Sequence, residues 1–115
     1  ARHERAGRWA ETYAAWYLRL KGYGILERRY KSGSGEIDII ARKRNVLAII
    51  EVKHRPTQEA AEDSLTPYAL RRISRAADDY YARTPSVQNL PIRFDGIFVS
   101  KNWRITHLKD LWRDL

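Results

Sequence analysis

Two neighbouring stretches, residues 36–42 and 47–55, constrain the fold of this chain more than any other part of the sequence. In both, aliphatic side chains alternate with charged ones, which predicts two β-strands. Residues 44–45 lie between them as the expected turn, so the strands form an antiparallel hairpin. That turn fixes which residues face each other across the hairpin. The expected pairs are Lys43–Val46, Asp38–Glu51 and Glu36–Lys53.

The same register separates a charged face of the hairpin from an apolar one, because successive side chains of a strand point to opposite faces. The expected core-facing set is Ile37, Ile39, Ala41, Ala48, Ile50 and Val52. The opposite face carries Glu36, Asp38, Ile40, Glu51 and Lys53. The hydrophobic pattern and the polar pattern therefore select one register independently.

Asp38 and Glu51 would face each other as two carboxylates, which repel one another across a strand pair. A divalent cation with oxygen ligands offsets this repulsion, and Mg²⁺ commonly uses one or two carboxylates while keeping several waters. Lys53 is the next residue after Glu51 on the same face of the strand, so its ammonium would reach a bound water or a phosphate. This pattern predicts a Mg²⁺ (or Mn²⁺) site suited to phosphodiester hydrolysis.

A purely structural interpretation stands beside this one. Glu36 and Lys53 could form an ordinary cross-strand ion pair, and Glu51 could pair with Arg55 or Arg42 on a solvated face. For an arbitrary hairpin with mixed charges this is the more frequent outcome. Two features favour the site: acids oppose each other, and they lie in the middle of apolar strands.

The rest of the chain predicts an α/β fold of element order α-β-β-β-α-β-β, with a mixed β-sheet flanked by helices in a single domain spanning residues 1–115. The expected helices cover residues 4–21 and 66–83, the second with Thr66 as N-cap and Pro67 in its first turn. The additional strands are expected at residues 23–30, 92–99 and 103–108. Residues 57–65 are expected to form a loop with at most a short helical piece, and residues 110–115 a helical tail.

The first helix carries two apolar stripes. The broad one, expected to face the core, contains Trp9, Tyr13, Trp16, Tyr17 and Leu20. The narrow one contains Glu11, Ala14 and Leu18, whose small alanine would allow close approach of another element. Trp103 and Trp112 are also interpreted as packing residues.

The chain carries 22 Lys and Arg against 14 Asp and Glu, a formal net charge of +8 with His neutral. This charge favours a polyanionic partner, nucleic acid first and an acidic membrane surface second. The absence of Cys excludes disulfides, thiolate metal sites and Cys nucleophiles. No apolar run approaches the ~20 residues of a membrane span and no secretory signal is visible, so we expect a cytoplasmic protein with no membrane partner.

Several segments resemble a known family. The run from Gly35 to Ala41 followed by Ile50-Glu51-Val52-Lys53 is similar to the Asp…Glu-x-Lys core of the PD-(D/E)XK nuclease superfamily. The closer resemblance is to the YraN-type family, which is related to archaeal Holliday-junction resolvases. Matching segments at residues 7–11, 22–28 and 93–95 extend this resemblance over nearly the whole chain.

The resemblance implies a restriction-endonuclease-like core and a metal-dependent nuclease acting on DNA, more than on RNA, with branched or damaged DNA among its substrates. Asp38 and Glu51 would be metal ligands and Lys53 the catalytic lysine. Glu11 would be an accessory acid and Glu36 a supporting residue. Resolvase-like relatives also suggest a homodimer. The chain departs from the family pattern at Ala69, where a Lys or Gln is frequent.

Other charged residues have two interpretations each. Arg71, Arg72 and Arg75 on the second helix could contact phosphates of a nucleic acid, or they could simply form a solvated helix face. Arg93 and Asp95 alternate on the fourth strand, where a structural ion pair is favoured over a support behind the site.

Three functions from different classes follow. The first is a metal-dependent nuclease that uses Asp38, Glu51 and Lys53. The second is a catalytically silent nucleic-acid-binding module of the same fold, which would show no metal affinity dependent on the two acids. The third is a protein-interaction domain, which would show no salt-sensitive binding of nucleic acid.

Overall fold

The computed structural model describes residues 2–113 of the chain, with side chains described from residue 7 onward. The elements follow the expected order, with one additional short helix. They are α1 (Arg2–Leu20), β1 (Gly24–Lys31), β2 (Glu36–Lys43), β3 (Val46–His54), α2 (Gln58–Asp63), α3 (Pro67–Arg83), a 3₁₀ turn (Pro85–Val87), β4 (Ile92–Val99) and β5 (Ile105–Trp112).

The five strands form one mixed sheet in the order β1-β2-β3-β4-β5. Neighbouring strands are antiparallel except β3 and β4, which are parallel. A parallel pair needs a long crossover, and the connection through α2 and α3 supplies it. The predicted α/β fold with a mixed sheet is therefore confirmed. None of the helices in the described part of the chain is long and apolar enough to cross a membrane.

The predicted register of the β2–β3 hairpin is confirmed over its turn-proximal half. Lys43 pairs with Val46, and the pairing continues in the same register to Ile39 and Ile50. Arg44 takes the left-handed backbone conformation of the turn, with φ 54°. Beyond Ile39 and Ile50 the two strands stop pairing, so the backbone pairs expected at residues 38–51 and 36–53 are wrong.

The sheet is buried on both faces, which corrects the expectation of one apolar face. One core lies under α1 and includes Ile39, Ala41, Ala48, Ile50 and Ile97. The other lies under α3 and includes Ile37, Ile40, Leu47, Ile49 and Phe94. Ile37 and Ile39 thus join different cores, because β2 loses its regular alternation at Asp38. Helices on both sides make the centre of β2 and β3 apolar throughout.

The first helix packs chiefly through its narrow stripe, so the prediction that the broad aromatic stripe faces the core is wrong for Trp16 and Leu20. Ala14 and Leu18 are fully buried, whereas Trp16 is 59% and Leu20 87% exposed. Small side chains allow the helix axis to approach the sheet, and the large aromatic residues are displaced to its margins. Trp9 and Tyr13 are partly buried there against the edge of the core.

The short helical piece expected within residues 57–65 is present, whereas the expectation for the C-terminus is corrected. Residues 57–65 contain α2, whose N-cap Thr57 accepts a hydrogen bond from the N–H of Ala60. β5 continues to Trp112, so residues 110–112 are strand and not helix, while residues 114–115 of the expected tail lie outside the described part. Trp112 is buried as expected. Trp103 lies in a turn and is 56% exposed, and its ring packs against those of Trp9 and Tyr13.

Candidate active site

The two hairpin strands separate at Asp38. Their last backbone pair is Ile39 with Ile50, and beyond it the N–H of Val52 donates a hydrogen bond of 2.8 Å to the carboxylate of Asp38. A side-chain oxygen thus satisfies a backbone donor that the ended ladder would leave free. The separation opens the end of the sheet and holds the Asp38 carboxylate against β3.

Glu51 and Lys53 lie on β3 next to this opening, on the face that α3 covers. The Lys53 ammonium is 3.2 Å from the Glu51 carboxylate, and their side chains are 22% and 13% exposed. Burial raises the pKa of Glu51 well above its usual range, and the neighbouring Asp38 carboxylate raises it further, against the opposing charge of Lys53. The structure therefore brings Asp38, Glu51 and Lys53 together, as the sequence predicted, although not by direct strand pairing.

Glu11 approaches the same opening from α1. It is 6% exposed, and its Oε1 atom is buried without a hydrogen-bond partner. Arg28 and Arg29 lie 3.6 and 3.8 Å from this oxygen, beyond hydrogen-bond distance. Burial and then the charge of Asp38 raise the pKa of Glu11 to about 7, with the two arginines opposing.

Glu36 lies at the margin of the site. Its carboxylate is 65% exposed and 3.8 Å from the Lys31 ammonium. The expected partner Lys53 contacts Glu51 instead, because β2 and β3 no longer run side by side at this level. Glu36 still lines the opening, so the structure leaves it beside the site and without contact to Lys53.

The opening continues into a cavity of about 350 Å³ between β2, β3 and the first half of α3. Asp38 and Glu51 line it from the sheet, and Tyr68, Ala69 and Arg72 line it from the helix. The short side chain of Ala69 leaves this part of the cavity wall open.

The three arginines of α3 separate in the structure. Arg72 lines the cavity, with its guanidinium 5.9 Å from the centre of the Tyr68 ring. Arg71 and Arg75 are exposed and do not line it. Of the three candidates for nucleic-acid contact, only Arg72 therefore lies beside the two acids.

The donor set of this site fits a hard divalent cation. Asp38 and Glu51 supply two carboxylates, and burial and then the charge of Asp38 raise the pKa of Glu51, so a nearby cation would favour its ionised form. Mg²⁺ needs only one or two protein carboxylates, since waters and substrate phosphates complete its six ligands. Among the described residues there is no group of three or more His, Cys, Asp or Glu side chains arranged to hold a metal. Asp38 and Glu51, whose neighbouring carboxylates interact with each other, could hold such an ion.

Arg93 and Asp95 form the structural ion pair that the sequence favoured. Two hydrogen bonds of 2.7 and 2.8 Å join them, and His107 contacts the same carboxylate at 2.8 Å. Burial would raise the pKa of Asp95, but the hydrogen bonds from His107, Arg93 and the Asp110 backbone outweigh it and lower the pKa. This network lies on the α1 face of the sheet, whereas Glu51 and Lys53 face α3.

The sequence did not predict three residues that line the cavities of the site: Arg8, Arg29 and Tyr68. The adjacent Arg28 and Arg29 were visible as a basic pair, but β1 has a register shift between Ile25 and Glu27 that no local pattern announces. Arg29 also has a φ of 52°, which simple alternation does not predict. Tyr68 carried only the signal of an aromatic residue in the first turn of a helix.

Comparison with known proteins gives a consistent relationship. The sequence model of the uncharacterised protein family UPF0102 matches residues 10–99. A UPF0102 protein of Paramagnetospirillum magneticum is 45% identical over 115 residues, covering 96% of this chain and 88% of the relative. Another from Methylocella silvestris is 48% identical over 101 residues, covering 88% of this chain and 81% of the relative. Residues 10–99, which the family model matches, include Glu11, Asp38, Glu51 and Lys53.

Proposed function

The chain belongs to the uncharacterised protein family UPF0102, the YraN-type branch of the PD-(D/E)XK nuclease-like superfamily, and on this basis we propose that it is a metal-dependent nuclease hydrolysing phosphodiester bonds in DNA. The observation that carries the proposal is the cluster of Asp38, Glu51 and Lys53 at the opening between β2 and β3. A hairpin with a purely structural role would not require two acids and an ammonium in a half-buried position, because charged groups lose hydration there.

Asp38 and Glu51 would hold a Mg²⁺ or Mn²⁺ ion. When bound, such an ion lowers the pKa of water and neutralises charge on a phosphate. The hydrogen bond from Val52 holds one oxygen of the Asp38 carboxylate, and Asp38 lines the cavity at the opening. Lys53 is held by Glu51 and would orient the attacking water or stabilise negative charge on the phosphate oxygens.

The surrounding residues would bind the substrate. Arg72 in the cavity wall would contact a phosphate, and the exposed Arg71 and Arg75 would meet phosphates farther along the strand. Glu11 and Glu36 would support the site as an accessory acid and a marginal polar residue. The net charge of +8 favours nucleic acid, with DNA preferred and branched or damaged DNA included. A cytoplasmic location and a homodimer belong to the same proposal.

Incubation of the purified protein with Mg²⁺ or Mn²⁺ and end-labelled linear, nicked, flapped and four-way DNA tests the proposal. We expect cleavage of at least one substrate that is abolished by chelation and by Asp38→Asn. Asp63→Asn, which removes an exposed acid of α2, should leave cleavage unchanged and serves as the matched control. Cleavage that survives Asp38→Asn would contradict the proposal.

A silent nucleic-acid-binding module is the second candidate, because the described residues contain no group of three or more His, Cys, Asp or Glu side chains arranged to hold a metal. Isothermal titration with Mg²⁺ and Mn²⁺ separates the two. A nuclease should bind the cation through Asp38 and Glu51, so Glu51→Gln should remove the heat of binding. A silent module should bind DNA in a salt-dependent manner and show no such heat.

A further inference from the structure

A second cavity adjoins the candidate active site. It has a volume of about 450 Å³ and lies between the start of α1 and the end of β1. Four basic side chains and two acidic ones line it: Arg8, Arg28, Arg29 and Lys31, with Glu11 and Glu36. Arg29 and Glu36 also line the first cavity, so the two cavities share a wall.

The positive charge of this basic cavity exceeds the negative charge of the two acids that line it. Arg28 and Arg29 are too far from Glu11 for hydrogen bonds, at 3.6 and 3.8 Å. The contact of Lys31 with Glu36 is 3.8 Å long and largely exposed, so it contributes little. Four cations against two acids leave an excess of two positive charges in a concave surface, which favours an anionic ligand.

The backbone of Arg29 is a second indication of a ligand. Its φ of 52° is uncommon for a residue with a side chain, and such conformations concentrate at ligand clamps and active sites. Arg29 lies between the pairs Arg28–Ile39 and Tyr30–Ile37, directly across from Asp38. Arg29 in this conformation is part of the walls of both cavities.

We propose that the basic cavity binds backbone phosphates of the nucleic acid strand on one side of the bond that is cut. The inference rests on the proposed nuclease function and names a part of its substrate site. The strand would pass from Arg8 and Lys31 over Arg29 to the acids Asp38 and Glu51. Contacts to phosphates position the strand without reading its sequence, so this cavity confers affinity and not base preference.

The test measures binding without metal, so that it does not depend on catalysis. Affinity of a fluorescent oligonucleotide is measured by anisotropy in chelator from 50 to 200 mM KCl for the double variant Arg8→Ala/Lys31→Ala. Both residues are exposed, so the fold should be retained. Each lost phosphate contact should lower the slope of log affinity against log salt by about 0.7 for single strands and 0.9 for duplex.

The matched control is Arg83→Ala/Lys109→Ala, which removes the same charge from exposed positions at the far end of α3 and on β5. Its slope should equal that of the unmodified chain. An unchanged slope in the first variant, or an equal fall in both variants, would overturn the inference. Inorganic phosphate at matched ionic strength should compete no better than chloride, and strong competition would assign the cavity to free phosphate instead.

The two proposals fail separately. If the DNA is cleaved in a manner dependent on Asp38 but the slope does not respond to Arg8 and Lys31, the nuclease stands and the phosphate site is wrong. If the slope falls as expected but no metal supports cleavage, the phosphate site stands and the protein is a silent binding module.

Discussion

The carboxylate of Asp38 accepts a hydrogen bond of 2.8 Å from the backbone N–H of Val52, at the level where β2 and β3 stop pairing. Val52 lies between Glu51 and Lys53, so the backbone of the strand that carries these two side chains also orients the third member of the cluster. This hydrogen bond lowers the free-energy cost of separating the two strands, because it satisfies the backbone N–H of Val52 that the separation leaves unpaired.

Two substitutions at Asp38 separate its charge from its hydrogen bond. Asp38→Asn can still accept from Val52 and removes the repulsion with Glu51, so without metal at pH 8 it should be at least as stable as the unmodified chain. Asp38→Ala loses the acceptor and should be about 1 kcal/mol less stable than Asp38→Asn. Urea denaturation measures both, and the opposite order would contradict the role of Val52.

Lys53 should matter for turnover and not for metal binding. Lys53→Met keeps the length of the side chain and removes its charge, so cleavage should fall by about 10² or more while Asp38 and Glu51 still bind the cation. Single-turnover rates and calorimetric metal binding give the two quantities. Lys101→Met, at an exposed position in the β4–β5 turn, is the control and should cleave normally. Loss of metal binding in Lys53→Met would indicate a structural role instead.

The stability of the metal-free protein should fall as pH rises from about 5 to 8. The pKa of Glu11 is about 7 in the folded chain against 4.5 as its usual value, so in this window the folded state holds a proton that the unfolded chain has released. Stability is therefore greatest at the acidic end and declines as Glu11 ionises. The raised pKa of Glu51 acts in the same direction.

Glu11→Gln provides the measurement of this contribution. The variant should lose less stability than the unmodified chain between pH 5 and pH 8, by up to about 3 kcal/mol in urea denaturation with chelator present. The same comparison with Glu59→Gln, an exposed acid of α2, should show no difference. Equal pH dependence in Glu11→Gln and the unmodified chain would mean that Glu11 ionises freely when folded.

The sequence predicted the strands and their register near the turn because alternation and turn position are local properties. The sequence predicted the cluster of Asp38, Glu51 and Lys53 from that register. In the structure the three side chains lie together where the two strands separate, and not as paired residues of a continuous ladder. The sequence does not show where the β2–β3 ladder ends, because β2 stays paired with β1 as far as Glu36 while β3 stays paired with β4 as far as His54. The predicted contact of Glu36 with Lys53 was wrong for this reason.

The packing of α1 shows a different limit. Its aromatic stripe is larger and more apolar than the alanine stripe, and size alone suggested that it faces the core. The sheet selects the stripe that permits close approach, which places Ala14 inside and Trp16 outside. The basic cavity was hidden as well, because it joins α1 to β1 through a register shift and a left-handed Arg29.

Two glycines of the same loop should respond differently to alanine. A Cβ atom at Gly35 would lie 2.7 Å from the backbone oxygen of Arg72 in α3, whereas Gly33 has open space around it. Gly35→Ala should therefore push the start of β2 away from α3 and cost about 1–3 kcal/mol, as overpacking does. Gly33→Ala should be within about 0.5 kcal/mol of the unmodified chain in urea denaturation. Equal effects would show that the loop can move away from α3 freely.

The buried carboxylate of Asp95 should be the most sensitive charged position outside the site. It accepts from Arg93 and from the backbone of Asp110, and His107 contacts it with a side chain that is 1% exposed. Arg93 donates to both carboxylate oxygens of Asp95, so in Asp95→Asn the amide NH2 group would face one of these N–H donors. The partly buried guanidinium would also lose the negative charge that it pairs with. A cost of about 3–5 kcal/mol is expected from denaturation experiments.

Asp110→Asn is the matched control for this prediction. Its carboxylate pairs with Arg113, and that pair is 44% and 85% exposed, so the loss should be below about 1 kcal/mol. Asn also tolerates the left-handed backbone of Asp110, whose φ is 55°. Because Asp110→Asn keeps the backbone N–H that donates to Asp95, the two variants differ only in which carboxylate is lost. Similar stability of both would mean that the Arg93–Asp95–His107 network contributes no more than a surface pair.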